Sequence, residues 1–197
     1  MNILHVISSP RAASYSHRLS NGIVAKLQTA HPGSTVQVRD LVTHPFPHLE
    51  EATIQSFQSP AEQRSAPQRE ATRHSDEVIA ELLAADVIVI GAPLYNFGIS
   101  SNLKAWIDHL VRAGVTFRYG ANGPEGLVPN RKVYVAMASG GVYSDGFMKA
   151  YDFVSPYLQT VLGFIGLTDV TVARVEGTSN PALEPTALAT ALDGVHV

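Results

Sequence analysis

The sequence contains no cysteine. A disulfide framework, thiolate chemistry and a zinc–sulfur site are therefore excluded. No apolar run approaches the ~18 residues that a membrane span needs. The opening residues, MNILHVISSP, have no charged leader and no long apolar stretch, so they read as a first strand and not as a signal peptide. A cytoplasmic protein with no membrane association is expected. Neither charge is in excess: Lys and Arg number 14, Asp and Glu 17, and the net charge is -3. There is no basic stripe for a nucleic acid and no strongly acidic face for a carrier that docks by charge. Neither G-x-G-x-x-G nor G-x-x-x-x-G-K-S/T follows the first strand, which argues against Rossmann dinucleotide binding and against a P-loop nucleotidase. His44 and His48 are four apart, but prolines intervene and no carboxylate pattern accompanies them, so no metal site is expected. What remains is 197 residues, 45% of them hydrophobic, enough for a single domain over 1–197 with its own core.

The chain is organised around Asp86–Asn102, DVIVIGAPLYNFGISSN. Val87 to Ile90 is a continuous β-branched run, suited to a central parallel strand buried on both faces. Gly91, Ala92 and Pro93 are expected to stop it. Leu94, Tyr95, Asn96, Phe97 and Gly98 then form a loop, and Ser100 or Ser101 can cap the next helix. Ligands of open α/β sheets bind at the carboxyl ends of strands. Two aromatic rings, the Asn96 amide and the backbone donors of this loop suit a flat aromatic ligand with a polar rim.

Two further loops share that position. Ile3–Ile7 reads as the first strand, and a helix from about Ser16 to Ala30 carries Leu19, Ile23, Val24 and Leu27 at helical spacing. Between them lies a hydroxyl-rich loop with Ser8, Ser9, Ser14 and Ser16. A helix N-terminus there favours an anion, and serine hydroxyls add donors; the plainer role of Ser14 or Ser16 is helix capping. A later strand, Val133–Met137, runs into Ala138-Ser139-Gly140-Gly141, where two glycines let backbone approach a ligand or turn sharply. The rest is an edge strand at Val36–Leu41, a long proline-rich segment over His44–Pro67 with a helical turn at Ile54 and Phe57, and helices over Pro67–Ala85, Leu103–Val111, Phe153–Phe164 and Glu184–Leu192. Asp169–Val175 is the last strand. Trp106 is expected to pack in the core or between helices, with a ligand or a partner subunit as the other readings. Five strands alternating with helices predict an α/β doubly wound parallel sheet of order 2-1-3-4-5.

These loops resemble the FMN-dependent NADH:quinone oxidoreductases and azoreductases of bacteria, in the flavodoxin-like superfamily. The resemblance covers nearly the whole chain. It is carried by Ser8-Ser9 with Ser14-Tyr15-Ser16, by Ala92-Pro93-Leu94-Tyr95-Asn96-Phe97-x-Ile99-Ser100, and by Arg112-Ala113-Gly114-Val115-Thr116-Phe117-Arg118-Tyr119 with Asn122-Gly123-Pro124-Glu125-Gly126-Leu127. Gly140-Gly141 and Leu162-Gly163-Phe164-Ile165-Gly166 complete it.

The resemblance implies one FMN per subunit. Ser9, Ser14, Tyr15 and Ser16 look like its phosphate loop. Leu94, Tyr95, Asn96 and Phe97 look like the segment against the ring system, and Ala138, Ser139, Gly140 and Gly141 like the loop at the pyrimidine edge. Members commonly have Ser-Arg-Gly-Gly at that last loop, so Ala-Ser-Gly-Gly is a departure. The implied activity is two-electron, ping-pong transfer from NADH or NADPH to quinones, and to aromatic azo compounds, which are cleaved to amines. The flavin carries the chemistry, so no catalytic side chain is nominated. Tyr119 and Phe164 are candidates for an aromatic wall against the acceptor, with simple packing as the alternative. The family is homodimeric, with each site completed by the partner; His44–Pro67 and the Trp106 helix are candidate interface material. Alternatives on the same fold are a flavin reductase that releases reduced FMN, and a flavodoxin-type electron carrier or redox-sensing FMN-binding protein.

Overall fold

The computed structural model describes residues 1–197. Its elements, in chain order, are β1 (Asn2–Ile7), α1 (Tyr15–Ala30), β2 (Thr35–Asp40), α2 (Glu51–Phe57), α3 (Ala66–Ala84), β3 (Val87–Pro93), α4 (Ser101–Leu110), β4 (Phe117–Gly120), β5 (Gly123–Gly126), β6 (Lys132–Ala138), α5 (Ser155–Phe164), β7 (Asp169–Val175) and α6 (Glu184–Asp193). Single 3₁₀ turns cover Ala61–Gln63 and Phe147–Tyr151. Five strands form one parallel sheet in the order β2-β1-β3-β6-β7, and β4 and β5 form a separate antiparallel hairpin. Leaving out the hairpin, this is the 2-1-3-4-5 order expected from the alternation of strands and helices.

Side chains alternate across the sheet. Leu4, Val6, Ile88, Ile90, Val133, Val135 and Met137 face one layer of helices, together with core residues of α3, α4 and α5. Ile3, Val87, Val89, Tyr134 and Ala136 face the other, with Leu19, Ile23 and Leu27 of α1 and flanking residues of α6. Burial on both faces is why β3 reads as an unbroken apolar run, with Ile88, Val89 and Ile90 all at 0% exposure. Each such side chain contributes about 1.5–3 kcal/mol of transfer free energy.

Two expectations are revised and one is settled. β3 does not stop at Gly91; it continues through Ala92 and Pro93, which pair with Met137 and Ala138 of β6. Pairing with β1 has already ended at Ile7–Gly91, so Pro93 lies where that neighbour needs no N–H. The β4–β5 hairpin adds a second small sheet. Trp106 is fully buried in the core, which excludes contact with a partner and bears out the packing role.

Capping follows local chemistry. Ser14 caps α1 by accepting from the His17 amide, and Ser65 and Gln68 form a reciprocal capping box on α3. The His44–Pro67 segment is docked, not free: the Arg64 guanidinium donates to the Ser59 carbonyl and Thr72, and the His109 ring meets the Pro47 carbonyl at 2.9 Å. No helix is long and apolar enough to cross a membrane.

Candidate functional site

The carboxyl ends of β1, β3 and β6 bring the three loops together beside the point where strand order reverses. In the first loop Ser9, Ser14 and Ser16 are buried, at 4%, 5% and 0% exposure. The Ser14 and Ser16 hydroxyls lie 3.3 Å apart. The backbone amides of Tyr15 and Ser16, at the first positions of α1, donate to nothing within the chain. Burying hydroxyls and amides around an unpartnered helix start suits a bound anion. The Tyr15 side chain points elsewhere: its hydroxyl donates to the Glu184 carboxylate of α6, and the Arg18 guanidinium stacks on its ring. Tyr15 therefore offers this loop its amide and not its phenol.

Beneath the loop, His5 of β1 lies 2.8 Å from the Ser20 hydroxyl, which donates to the His17 carbonyl. That bond leaves the hydroxyl as acceptor, so the His5 Nε2 carries a proton and donates. Burial, followed by the nearby His17, pulls the His5 pKa from 6.5 down to about 4.

The second loop is a tight reverse turn. Tyr95 and Gly98 exchange both backbone hydrogen bonds at 3.0 Å, with Asn96 and Phe97 at the tip in the left-handed region, φ 49° and 69°. Asparagine tolerates that region; a bulky phenylalanine there is a strained exception. The turn leaves the Asn96 and Phe97 amides unpaired. It is held from behind by the Phe153 amide, which donates to the Phe97 carbonyl at 3.1 Å. Phe97 packs on Tyr151 and Tyr143, with ring centroids 5.6 and 6.5 Å away.

The third loop is tethered by its carbonyls. The Ala138 carbonyl accepts from the Leu94 amide, Ser139 from Thr178, Gly140 from the Ser179 amide and Gly141 from the Gly177 amide. The Ser139 hydroxyl also donates to the Gly141 carbonyl at 2.8 Å. The amides of Gly140, Gly141 and Val142 remain unpaired. In this chain a buried serine, Ser139, closes the loop on itself.

A crevice of about 1260 Å³ opens beside these loops, lined by Pro10, Leu41, Val42, Tyr95, Asn96, Gly98, Phe153, Pro156 and Tyr157 among others. Leu94 packs against the core beneath it. Ser14, Ser16, Ser139 and Gly140 do not line the crevice, which continues instead along α4 and α5 to Lys104 and Thr160. Of the groups that line it, Lys104 is held charged by its bond to Asp108, and burial pushes the Tyr157 phenol up. Neither is poised to exchange a proton near neutrality.

Tyr119 and Phe164 are not brought to this crevice. Phe164 ends α5, about 12 Å along the helix from Pro156 at a rise of ~1.5 Å per residue. Phe117 of the hairpin packs on Phe164 with centroids 4.5 Å apart, and Tyr119 packs on Phe117. The hairpin is seated there closely: a Cβ on Gly126 would lie 2.1 Å from the Gly166 nitrogen. Phe117 is buried, whereas Tyr119 is 76% exposed.

Several residues around the site escaped the sequence reading. Asn102 donates to the Ser8 carbonyl at 2.9 Å, tying α4 to the first loop. Asp152 accepts from the Val154 and Ser155 amides and from the Arg174 guanidinium, and Glu176 accepts from the Tyr143 amide. Burial opposes ionisation of Asp152, but Ser155 and Arg174 outweigh it and hold the carboxyl below its usual range. Asp152 had a local signal, an acidic residue just before Ser155-Pro156 at a helix start. The others act through contacts distant in sequence and had none.

The sequence and the fold match known proteins. A sequence model of the family described as flavodoxin-like fold matches residues 1–196. The chain is 49% identical over 195 residues to an FMN-dependent NADH:quinone oxidoreductase of Paraburkholderia phymatum, covering 98% of this chain and 96% of that protein. It is 50% identical over 176 residues to one from Herminiimonas arsenicoxydans, covering 89% and 86%. An azoreductase structure from Bacillus anthracis superposes with a TM-score of 0.90 at 29% identity, covering 98% of this chain and 95% of the other.

Proposed function

The chain belongs to the flavodoxin-like family that includes the FMN-dependent NADH:quinone oxidoreductases, and from that premise we propose how its loops divide the work. It is an FMN-dependent oxidoreductase that takes electrons from NADH and reduces quinones and aromatic azo compounds. Bound FMN supplies reversible two-electron transfer from NADH to an acceptor that takes the place of the departed nicotinamide.

The donors present fit that cofactor. Ser9, Ser14 and Ser16 and the free Tyr15 and Ser16 amides would hold its phosphate at the start of α1. The unpaired Asn96 and Phe97 amides would donate to the ring system, and those of Gly140 and Gly141 to its pyrimidine edge. Amides aimed at that edge favour the negative charge that arrives with two electrons. Leu94, Tyr95, Ala138 and Ser139 build the backbone from which these donors project. The observation that carries the assignment is that the third loop spends the carbonyls of Ala138 to Gly141 on the protein, while the amides of Gly140 and Gly141, like those of Asn96 and Phe97 at the tip of the second loop, stay unpaired.

Tyr119 and Phe164 stand at the far end of α5, away from this chain's own crevice, so a role against the acceptor would require them to reach the crevice of a second chain. This supports a homodimer in which each site draws on both subunits. The open groove along α4 and α5 gives such a partner a place to sit. A monomer in light scattering at working concentration would overturn it. An enzyme that draws on NADH works where that nucleotide is continually regenerated, which supports a cytoplasmic location.

Anaerobic stopped-flow spectroscopy tests the whole reading. FMN-reconstituted protein mixed with NADH should bleach near ~450 nm, and benzoquinone should restore the band. Failure to take up FMN would remove the three-loop site. Uptake without bleaching by NADH would favour a carrier or sensor.

A further inference from the structure

One side chain outside the loops described above reaches both ends of an aromatic segment beside the site. Arg174 lies near the end of β7, paired in register with Met137. One arm of its guanidinium donates to Asp152 at 2.8 Å and to the Ser155 hydroxyl at 2.6 Å. The other donates to the Met137 sulfur at 3.2 Å and forms a looser ion pair, 3.6 Å, with Glu176, whose carboxylate accepts from the Tyr143 amide at 2.8 Å. Tyr143 and Asp152 are the two ends of one compact surface loop of the kind that closes on itself. Between them the loop turns at Gly146, φ 67°, and exposes Phe147 at 82% and Tyr151 at 45%. Tyr151 packs on Phe97, and the residue after Asp152 holds the Phe97 carbonyl. A planar guanidinium with two arms can bind two partners at once in fixed directions, which an ammonium cannot.

We propose that Arg174, acting with Asp152, is a positioning residue for the electron acceptor: it pins both ends of the Tyr143–Asp152 loop so that Phe147 and Tyr151 extend the aromatic surface of the Phe97 turn for acceptors with more than one ring system. This rests on the quinone and azo reductase reading. The loop's contribution is selectivity for extended acceptors over single rings, because a compact benzoquinone is covered by the turn itself.

The test uses full-length Arg174→Gln and Phe147→Ala. In the FMN-free chain, Arg174→Gln should speed chymotryptic cleavage after Phe147 or Tyr151 about tenfold, as the charge-assisted bond to Asp152 is lost and Glu176 loses its counter-ion. In the holoenzyme, the ratio of KM for a two-ring azo dye to KM for benzoquinone should rise about five- to tenfold in both variants. Phe147 is too exposed for its removal to unfold the chain, so that variant reads the loop surface even if Arg174→Gln folds poorly. Unchanged cleavage in Arg174→Gln, or both KM values rising together, overturns the proposal. So does an unmoved ratio in Phe147→Ala. An unmodified enzyme that reduces neither acceptor overturns the oxidoreductase reading and this proposal with it. An unmodified enzyme that reduces both, with variants whose ratio stays put, overturns this proposal alone.

Discussion

The Phe153 amide donates to the Phe97 carbonyl at 3.1 Å, joining the approach to α5 to the strained turn after β3. Phe97 keeps its left-handed backbone because that bond, the paired Tyr95 and Gly98, and two neighbouring rings all favour the same conformation. The turn's free amides are thus fixed before any ligand arrives.

Substitutions at Asn96 separate backbone from side chain. Asn96→Gly keeps the left-handed turn and removes only the amide group. FMN affinity should fall by up to about tenfold, the value of one ordinary hydrogen bond, with thermal stability retained. Asn96→Ala should lose affinity as well and also cost about 1–2 kcal/mol of stability, because alanine resists φ 49°. Equal affinity for FMN in all three proteins, by fluorescence titration, would remove the Asn96 side chain from the site and leave only its backbone amide there.

The hairpin's seat is tested at Gly126. A Cβ there meets Gly166 backbone, which has no flexible end to move aside. Gly126→Ala should cost about 1–3 kcal/mol, the usual penalty of overpacking, read as a lower Tm. Its FMN affinity should be little changed, since the three loops lie at the other end of the sheet. A Tm within error of the parent would show that β5 moves away from α5 freely.

Shared sites make a complementation experiment possible. Tyr119→Ala removes an exposed ring and should leave stability unaltered while raising the KM for acceptors. Co-expressed with Asn96→Ala chains, it should form mixed dimers in which one site carries both lesions and the other carries neither. Activity above that of either parent dimer is the expected result. Activity equal to the average of the parents would place Tyr119 outside the partner's site.

His5 gives a pH signature. Its folded pKa is depressed to about 4, so the folded chain resists a proton that the unfolded chain accepts near 6.5. Its contribution is therefore present above about pH 6.5, is lost as pH falls from 6.5 to 4, and changes no further below that; linkage puts its size on the order of 3 kcal/mol. His5→Gln keeps a donor for the Ser20 hydroxyl but cannot titrate. Denaturant unfolding of this variant should show a flatter stability profile across that window, and parallel profiles would refute the assignment.

Much of the architecture could be read from local pattern. Asp169–Val175 and the cap at Ser14 are both sites where nearest neighbours decide conformation, and the sheet order follows from strands and helices alternating. Where local rules met a distant partner, the partner prevailed. Gly91-Ala92-Pro93 looks like a strand stop, yet β6 runs alongside and β3 goes on pairing. Tyr15 stands among the phosphate-loop residues, but Glu184 of the last helix takes its hydroxyl. Aromatic character marked Tyr119 and Phe164 without saying at which end of the sheet they stand. Arg174 carries no local cue, since both segments it joins are set by tertiary packing.

The order in which the chain leaves the ribosome adds a last consequence. The glycine pair at 140–141 emerges early, but the residues that take its carbonyls, Gly177, Thr178 and Ser179, come only after β7. Domains form from the amino end as they are made. A nascent chain ending before Gly177 holds the first two loops but leaves the third without its anchor. The enzyme is therefore assembled late in its own translation, and a chain broken off after β6 is left with an unmoored glycine loop.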